Sequence, residues 1–295
     1  MLRSTLTGKT VTRGEQLSIS LQTGRPLPDD EHMTALSLSP LRLLRLVLAM
    51  LCAAAAVAAT ATLAPVRATA GASLWTHHPN AVIGVRVFGH TVQGREMKAY
   101  HLGDPKAAVT VVSMAAMHGN EQAPQVTLRR LRDGRPIDGV NLWLIPSANP
   151  DGAARHDRHN AHAVDLNRNF PTRWKPLTGY YYAGPSPASE PETKALMRFL
   201  DRVKPDYVVS FHQPLHGVDT YGTKNPAFAR KLAKFLYLPR AKFSCGGVCH
   251  GTMTQWFNAH HRGFCVTVEL SAHPSWRYLN IVALNGLLRA VGGSR

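Results

Sequence analysis

The sequence is short of cysteine, of acid and of repetition. Its 295 residues include four cysteines and no pair of CxxC motifs, which argues against a structural zinc knuckle. Acidic residues number 18 against 34 Lys and Arg, a net charge of +16, so the surface favours an anionic partner. No segment recurs at a fixed period, which argues against a solenoid or propeller. No long low-complexity tract lies beyond the N-terminal region. No nucleic-acid-binding motif accompanies the basic charge, so binding to nucleic acid would rest on charge alone and would weaken steeply with salt. What is present is a globular composition, 44% hydrophobic and 18% charged, long enough for one large domain or two modest ones.

The first 70 residues differ from the rest. Residues 1–40 are polar and aperiodic and read as a disordered extension. Residues 41–70 combine a basic Leu41-Arg42-Leu43-Leu44-Arg45, an apolar run from Leu46 to Ala64, and small residues around Ala68 and Ala70. That order is an export signal. The run is also about the ~20 residues that span a bilayer, so an uncleaved anchor is the second reading. A start at Met33 would give a more ordinary signal length. Cys52 follows Leu51 rather than a small residue, so it is not read as a lipid anchor. Export places the chain in the periplasm or at the cell wall. An anionic envelope then suits the charge better than nucleic acid does.

Three cysteines follow: Cys245, Cys249 and Cys265. In an oxidising compartment the nearest pair, Cys245 and Cys249, is expected to bridge, leaving one thiol.

Residues 71–295 read as one catalytic domain. Ala81 to Val87 and Met97 to Leu102 form a hairpin or sheet edge. Val109 to Met114, Asn141 to Ile145, Tyr207 to Phe211 and Cys265 to Leu270 are apolar, β-branched runs of buried strands. Helices fall at about Pro124–Arg132, from Ser189 as N-cap to Val203, at Phe228–Leu236, Thr252–His260 and Leu279–Ala290. Alternation of buried strands and helices predicts an α/β fold, a mostly buried mixed or parallel central sheet flanked by helices. In such sheets sites form beyond the carboxyl ends of the strands. His118, Asn149, His212 and Glu269 all fall there.

A catalytic zinc takes three protein ligands and keeps one position open. His118 and Glu121, three apart on the turn leaving a strand, can face one ion, although a lone HxxE arises often by chance. His212 ends the next apolar strand, with His216 four residues on as a rival. His250, His260, His261 and His273 lack paired spacing at a strand end and read as surface or helix-face histidines. Trp256 reads as core.

Further motifs lie between and beyond these ligands: Asn149-Pro150-Asp151-Gly152, then Arg158 ahead of the block VDLNRNFP at residues 164–171. The tract YYYAGPSPASEPET, a strand ending in SFH, and VTVEL complete the set. In this order, over nearly all of residues 110–270, they resemble the zinc carboxypeptidase family of carboxypeptidases A and B. The compact bacterial branch, which includes murein peptide amidases that cut the γ-D-glutamyl–diaminopimelate bond, is the most similar. The resemblance implies one zinc per chain on His118, Glu121 and His212. It also implies a terminal carboxylate held by Asn167 and Arg168, a scissile carbonyl polarised by Arg158, and Glu269 as general base and acid. Thr254 falls where the family reads the side chain; being neutral, it argues against a simple preference for Lys or Arg. The family's mobile Tyr is missing, and Gly247 stands in its place between the two cysteines. The expected activity is release of a C-terminal residue, with peptidoglycan stem peptide as substrate. The alternatives are a general carboxypeptidase on L-peptides and an inactive envelope protein that only binds peptide.

Overall fold

The computed structural model describes residues 81–221 and 223–295. The expected N-terminal extension, the export or anchor segment and Cys52 lie outside the described residues.

Eight strands form one mixed sheet in the order β1-β2-β4-β3-β5-β8-β6-β7. Its centre is four parallel strands: β4 (Asn141–Ile145), β3 (Thr110–Met114), β5 (Tyr207–His212) and β8 (Phe264–Ser271). Each is an apolar run because both of its faces are covered. Val111 belongs to the apolar cluster that includes Leu128 and Leu287, while its neighbour Val112 belongs to a second cluster with Leu196, Phe199 and Phe257. That is the period-two alternation of a strand. Burying each such Val or Leu is worth about 1.5–3 kcal/mol before chain entropy is charged against it. The antiparallel pair β1 (Val82–His90) and β2 (Glu96–Gly103) extends the sheet beyond β4.

Helices cover both faces: α1 (Ala123–Arg132), α2 (Pro150–Arg155), α3 (Pro191–Val203), α4 (Pro226–Leu236), α5 (Met253–His260) and α6 (Ala283–Val291). Thr252 opens α5 with a reciprocal capping box to Gln255. A π-turn at Tyr278–Val282 leads into α6, where sequence periodicity had suggested one continuous helix.

Ser189 does not cap α3. Glu190 takes that position because it is tied into the loop before it: its N–H donates to Asn169 Oδ1 and its carboxylate accepts from Asn160. Ser189 Oγ instead donates to Glu190.

Two further strands were not expected. β6 (Leu215–Asp219) runs antiparallel to β8, with Gly217 opposite Glu269, and β7 (Arg240–Ala241) pairs with β6. The stretch between β4 and α3, expected to be irregular, contains α2 and two short 3-10 turns at Leu166–Arg168 and Gly179–Tyr181.

Candidate metal centre and active-site cleft

The parallel register brings the carboxyl ends of β3, β4, β5 and β8 to one side of the sheet. Met114 pairs with Ile145 and with Ser210, and His212 pairs with Glu269. The two loops beyond β3 and β4 interlock. Gly119, inside His118-Gly119-Asn120-Glu121, approaches α2 so closely that a Cβ there would lie 2.0 Å from the Gly152 carbonyl carbon. Asn149 caps α2 by accepting from Gly152 N–H, and its amide reaches back to the Met117 carbonyl. The two motifs are thus halves of one backbone contact that holds His118 and Glu121.

His118, Glu121 and His212 are all buried, and their ligand atoms lie within 4.8 Å of one another. His118 Nδ1 is 2.7 Å from Glu121 Oε1, His212 Nδ1 is 2.9 Å from Glu121 Oε2, and the two Nδ1 atoms are 3.3 Å apart. Donors on one tetrahedral zinc, at about 2.0–2.1 Å each, would sit about 3.3 Å apart, so the spacing fits. The electrostatics fit as well. Burial would lower the His118 pKa, but the Glu121 and Asp165 carboxylates push it up to about 9, so the cluster is arranged to hold positive charge. Each imidazole is fixed from behind, His118 Nε2 by Asp165 Oδ1 at 3.1 Å and His212 Nε2 by Ser210 Oγ at 3.0 Å. Such partners set which ring nitrogen faces the ion. His216 is exposed on β6 and lines a different hollow. Among the described residues no second group of three such ligands forms. His261 stacks on Phe257 and bonds to Asp201, and His260 bonds to Thr172. Trp256 is core.

The eight residues to which the family resemblance gave roles all line one cleft of about 570 Å³. Arg158 Nε and Nη2 donate to Asp165 Oδ2 at 3.0 and 2.7 Å, and its Nη1 is 3.7 Å from Glu121 Oε1. Arg168 is 4% exposed; its Nη1 donates to the Asn167 carbonyl, and its buried Nε has no protein partner. An orphaned guanidinium N–H in a cleft is a receiver for an acceptor from a ligand. The Asn167 side-chain oxygen accepts from Met253 N–H, locking that loop to the start of α5. Glu269 stands on β8 beside His212, accepts from Leu215 N–H, and has its pKa raised, mainly by burial. Thr254 and Thr267 pair their hydroxyls at 3.0 Å. The Cys245–Cys249 disulfide closes one wall, and Cys265 is free and buried.

Asp165 carries more of the site than its place in the sequence suggested. One oxygen faces His118, the other takes the Arg158 fork, and its side chain is wholly buried. Burial alone would raise its carboxyl; the charges of His118, Arg158 and Arg168 outweigh that and hold it far below the ordinary range. Asp165 stands inside the VDLNRNFP block, but nothing in its local spacing marks it out. Tyr181 was also missed: its ring lies over both Arg168 and Arg158, at 5.1 and 5.5 Å.

The zinc carboxypeptidase family profile matches residues 71–221, just over half of the chain. Murein peptide amidase A of Escherichia coli (strain K12) is 34% identical over 198 residues, 60% of this chain and 78% of that protein. Murein peptide amidase A of Vibrio campbellii is 32% identical over 171 residues, 53% of this chain and 67% of that protein. Among solved structures, murein-tripeptide amidase MpaA from Escherichia coli O157 aligns with a TM-score of 0.61 at 29% identity, covering 70% of this chain and 93% of that one. Carboxypeptidase A of Helicoverpa armigera shares the fold, with a TM-score of 0.57 at 18% identity, over 72% of this chain and 69% of that one. The chain belongs to the zinc carboxypeptidase family and is a zinc-dependent peptide hydrolase.

Proposed function

We propose that the chain releases C-terminal diaminopimelate from murein stem peptides by cutting the γ-D-glutamyl–diaminopimelate bond. The observation that carries the exopeptidase part is Arg168, a buried guanidinium with an orphaned N–H, in the same cleft as the three metal ligands and Glu269. The choice of murein peptide over ordinary L-peptide rests on the relatives in Escherichia coli and Vibrio campbellii that bear the name murein peptide amidase. Residues 41–70 and the +16 charge support an exported enzyme working at an anionic envelope, in the periplasm or at the cell wall.

The bound zinc would supply a nucleophilic water near neutral pH and polarise the scissile carbonyl. The chain's own groups then divide the remaining tasks. Arg168 and the Asn167 amide hold the terminal carboxylate, setting the depth at which the peptide stops. Arg158, its guanidinium braced by Asp165, turns positive charge towards the oxyanion that develops. Glu269 takes the proton from the attacking water and returns it to the leaving amine; burial moves its carboxyl towards the pKa such shuttling needs.

The test is product analysis by mass spectrometry. The purified zinc-loaded protein is incubated with L-Ala-γ-D-Glu-meso-diaminopimelate and with a panel of linear L-peptides, each with a chelator control. Diaminopimelate released from the first, with the second intact, supports the reading. Trimming of the L-peptides alone would make the chain a general carboxypeptidase.

A further inference from the structure

The cleft continues past the catalytic groups into a second cavity of about 510 Å³, and Asp219, Thr254, Gln255 and Thr267 line both. Its course follows from strand geometry. Side chains on β8 alternate, so Glu269, Thr267 and Cys265 share one face, and the step from Glu269 to Cys265 spans about 13 Å. Cys265 lines the second cavity, and Thr254 Oγ1 lies 3.6 Å from its sulfur and 3.0 Å from the Thr267 hydroxyl. The antiparallel register of β6, which sets Gly217 opposite Glu269 and Val218 opposite Val268, carries Asp219 to the flank of Thr267. The catalytic glutamate therefore opens a trough, two hydroxyls line its throat, and one carboxylate stands at that throat.

Asp219 is half-buried and makes no salt bridge among the described residues. Among the described residues its carboxylate accepts one hydrogen bond, from the Tyr221 N–H at 3.3 Å. Burial raises its carboxyl and the charge of Lys242 works against that rise, but Lys242 forms no ion pair with it. The outer part of the cavity has the opposite sign. Lys224 lies there with its ammonium donating to the carbonyls of Asn258, His261 and Gly263. Those three carbonyls take all three of its N–H donors, so Lys224 gives this end of the cavity positive charge but no free hydrogen bond. Arg173, exposed on the rim, adds a second cation. A wholly anionic side chain would meet Asp219 in the throat, and an apolar one would leave Asp219 and Arg173 without an ion-pair partner.

We propose that Asp219 is the residue that selects the C-terminal amino acid, by taking the ammonium of a side chain that ends in an ammonium–carboxylate pair, with the carboxylate directed to Arg173 within the positive field of Lys224. The inference rests on the proposed function for the identity of the peptide. It moves the charge that reads the side chain from the neutral Thr254 position to the wall built by β6.

The experiment measures kcat/KM for the purified, zinc-loaded wild type and the Asp219→Asn variant on four L-Ala-γ-D-Glu-X substrates. X is meso-diaminopimelate, lysine (ammonium only), 2-aminopimelate (carboxylate only) or norleucine (neither). Asparagine can still accept from Tyr221 N–H, so the turn is retained, and zinc content and Tm serve as controls. Asp219→Asn is expected to lose about 10- to 100-fold on diaminopimelate and lysine, the loss of one charge-assisted hydrogen bond. On 2-aminopimelate and norleucine it should change by less than about 3-fold. Equal losses on all four, or none on diaminopimelate, would overturn the assignment. If the wild type cuts no γ-D-glutamyl substrate, the murein reading fails by itself. The same four residues at the end of an L-peptide then decide Asp219: ammonium-selective loss upholds it and uniform loss removes it.

Discussion

Asp165→Asn tests whether the catalytic cleft is organised around one buried carboxylate. The side chain is fully buried, with one oxygen 3.1 Å from His118 Nε2 and the other 2.7 and 3.0 Å from the Arg158 fork. The amide replaces one acceptor oxygen with a donor, so either His118 or Arg158 must face an N–H. The charge that offsets His118, Arg158 and Arg168 disappears. Two magnitudes follow. Loss of a carboxylate behind a metal-bound histidine lowers metal affinity by about 10- to 100-fold. Breaking a buried ion pair while leaving its partner in place costs about 3–5 kcal/mol; at about 2–4 °C per kcal/mol for a domain of this size, Tm of the metal-free protein falls by about 6–20 °C. Zinc affinity is read by competition with a chelating indicator, and Tm by calorimetry after chelator treatment. A variant with wild-type zinc affinity and wild-type apo Tm would refute the reasoning outright.

Three further outcomes are expected. Glu269→Gln should keep its zinc and lose about 10²- to 10⁴-fold in kcat, the range for a positioned acid–base group, read by steady-state kinetics with metal analysis. Arg168→Ala should lose about 10- to 100-fold in kcat/KM on peptides with a free terminal carboxylate and far less on their C-terminal amides; equal loss on both would remove Arg168 from its role. Burial pushes the Cys265 thiol up to about 12, so at pH 8 an alkylating reagent should leave its peptide unmodified in native protein and modify it in denaturant, read by peptide mass spectrometry.

Most of the frame was legible because its strands bury both faces and so read as unbroken apolar runs. His118 and His212 drew attention because they follow or end those runs, and the resemblance of the surrounding motifs to the zinc carboxypeptidase family is what singled out the full set with Glu121. The hidden parts have physical reasons. β6 reads Leu-His-Gly-Val-Asp, neither an apolar run nor a clean alternation. It becomes a strand by pairing with the edge of β8, a long-range contact that leaves no local mark. Helix α2 is six residues with a glycine inside, too short for periodicity, and depends on the Asn149 cap. Ser189 looked like a helix cap because its type suits one; the pull of Asn160 and Asn169 on Glu190 decided otherwise. Asp165 has no signature in spacing, since its value comes from two partners, seven residues away in Arg158 and 47 away in His118. Asp219 sits in the same blind spot, a lone acid until β6 carries it to the throat of the cleft.

The central claim is that a single zinc on His118, Glu121 and His212 makes this chain a hydrolase. The most direct measurement is to strip the protein with chelator and titrate zinc back while following peptide hydrolysis, in the wild type and in His212→Ala and His216→Ala. The account predicts activity that rises to a plateau at about one zinc per chain in the wild type and His216→Ala, and none at stoichiometric zinc in His212→Ala. Activity indifferent to zinc, or lost in His216→Ala and kept in His212→Ala, would contradict it.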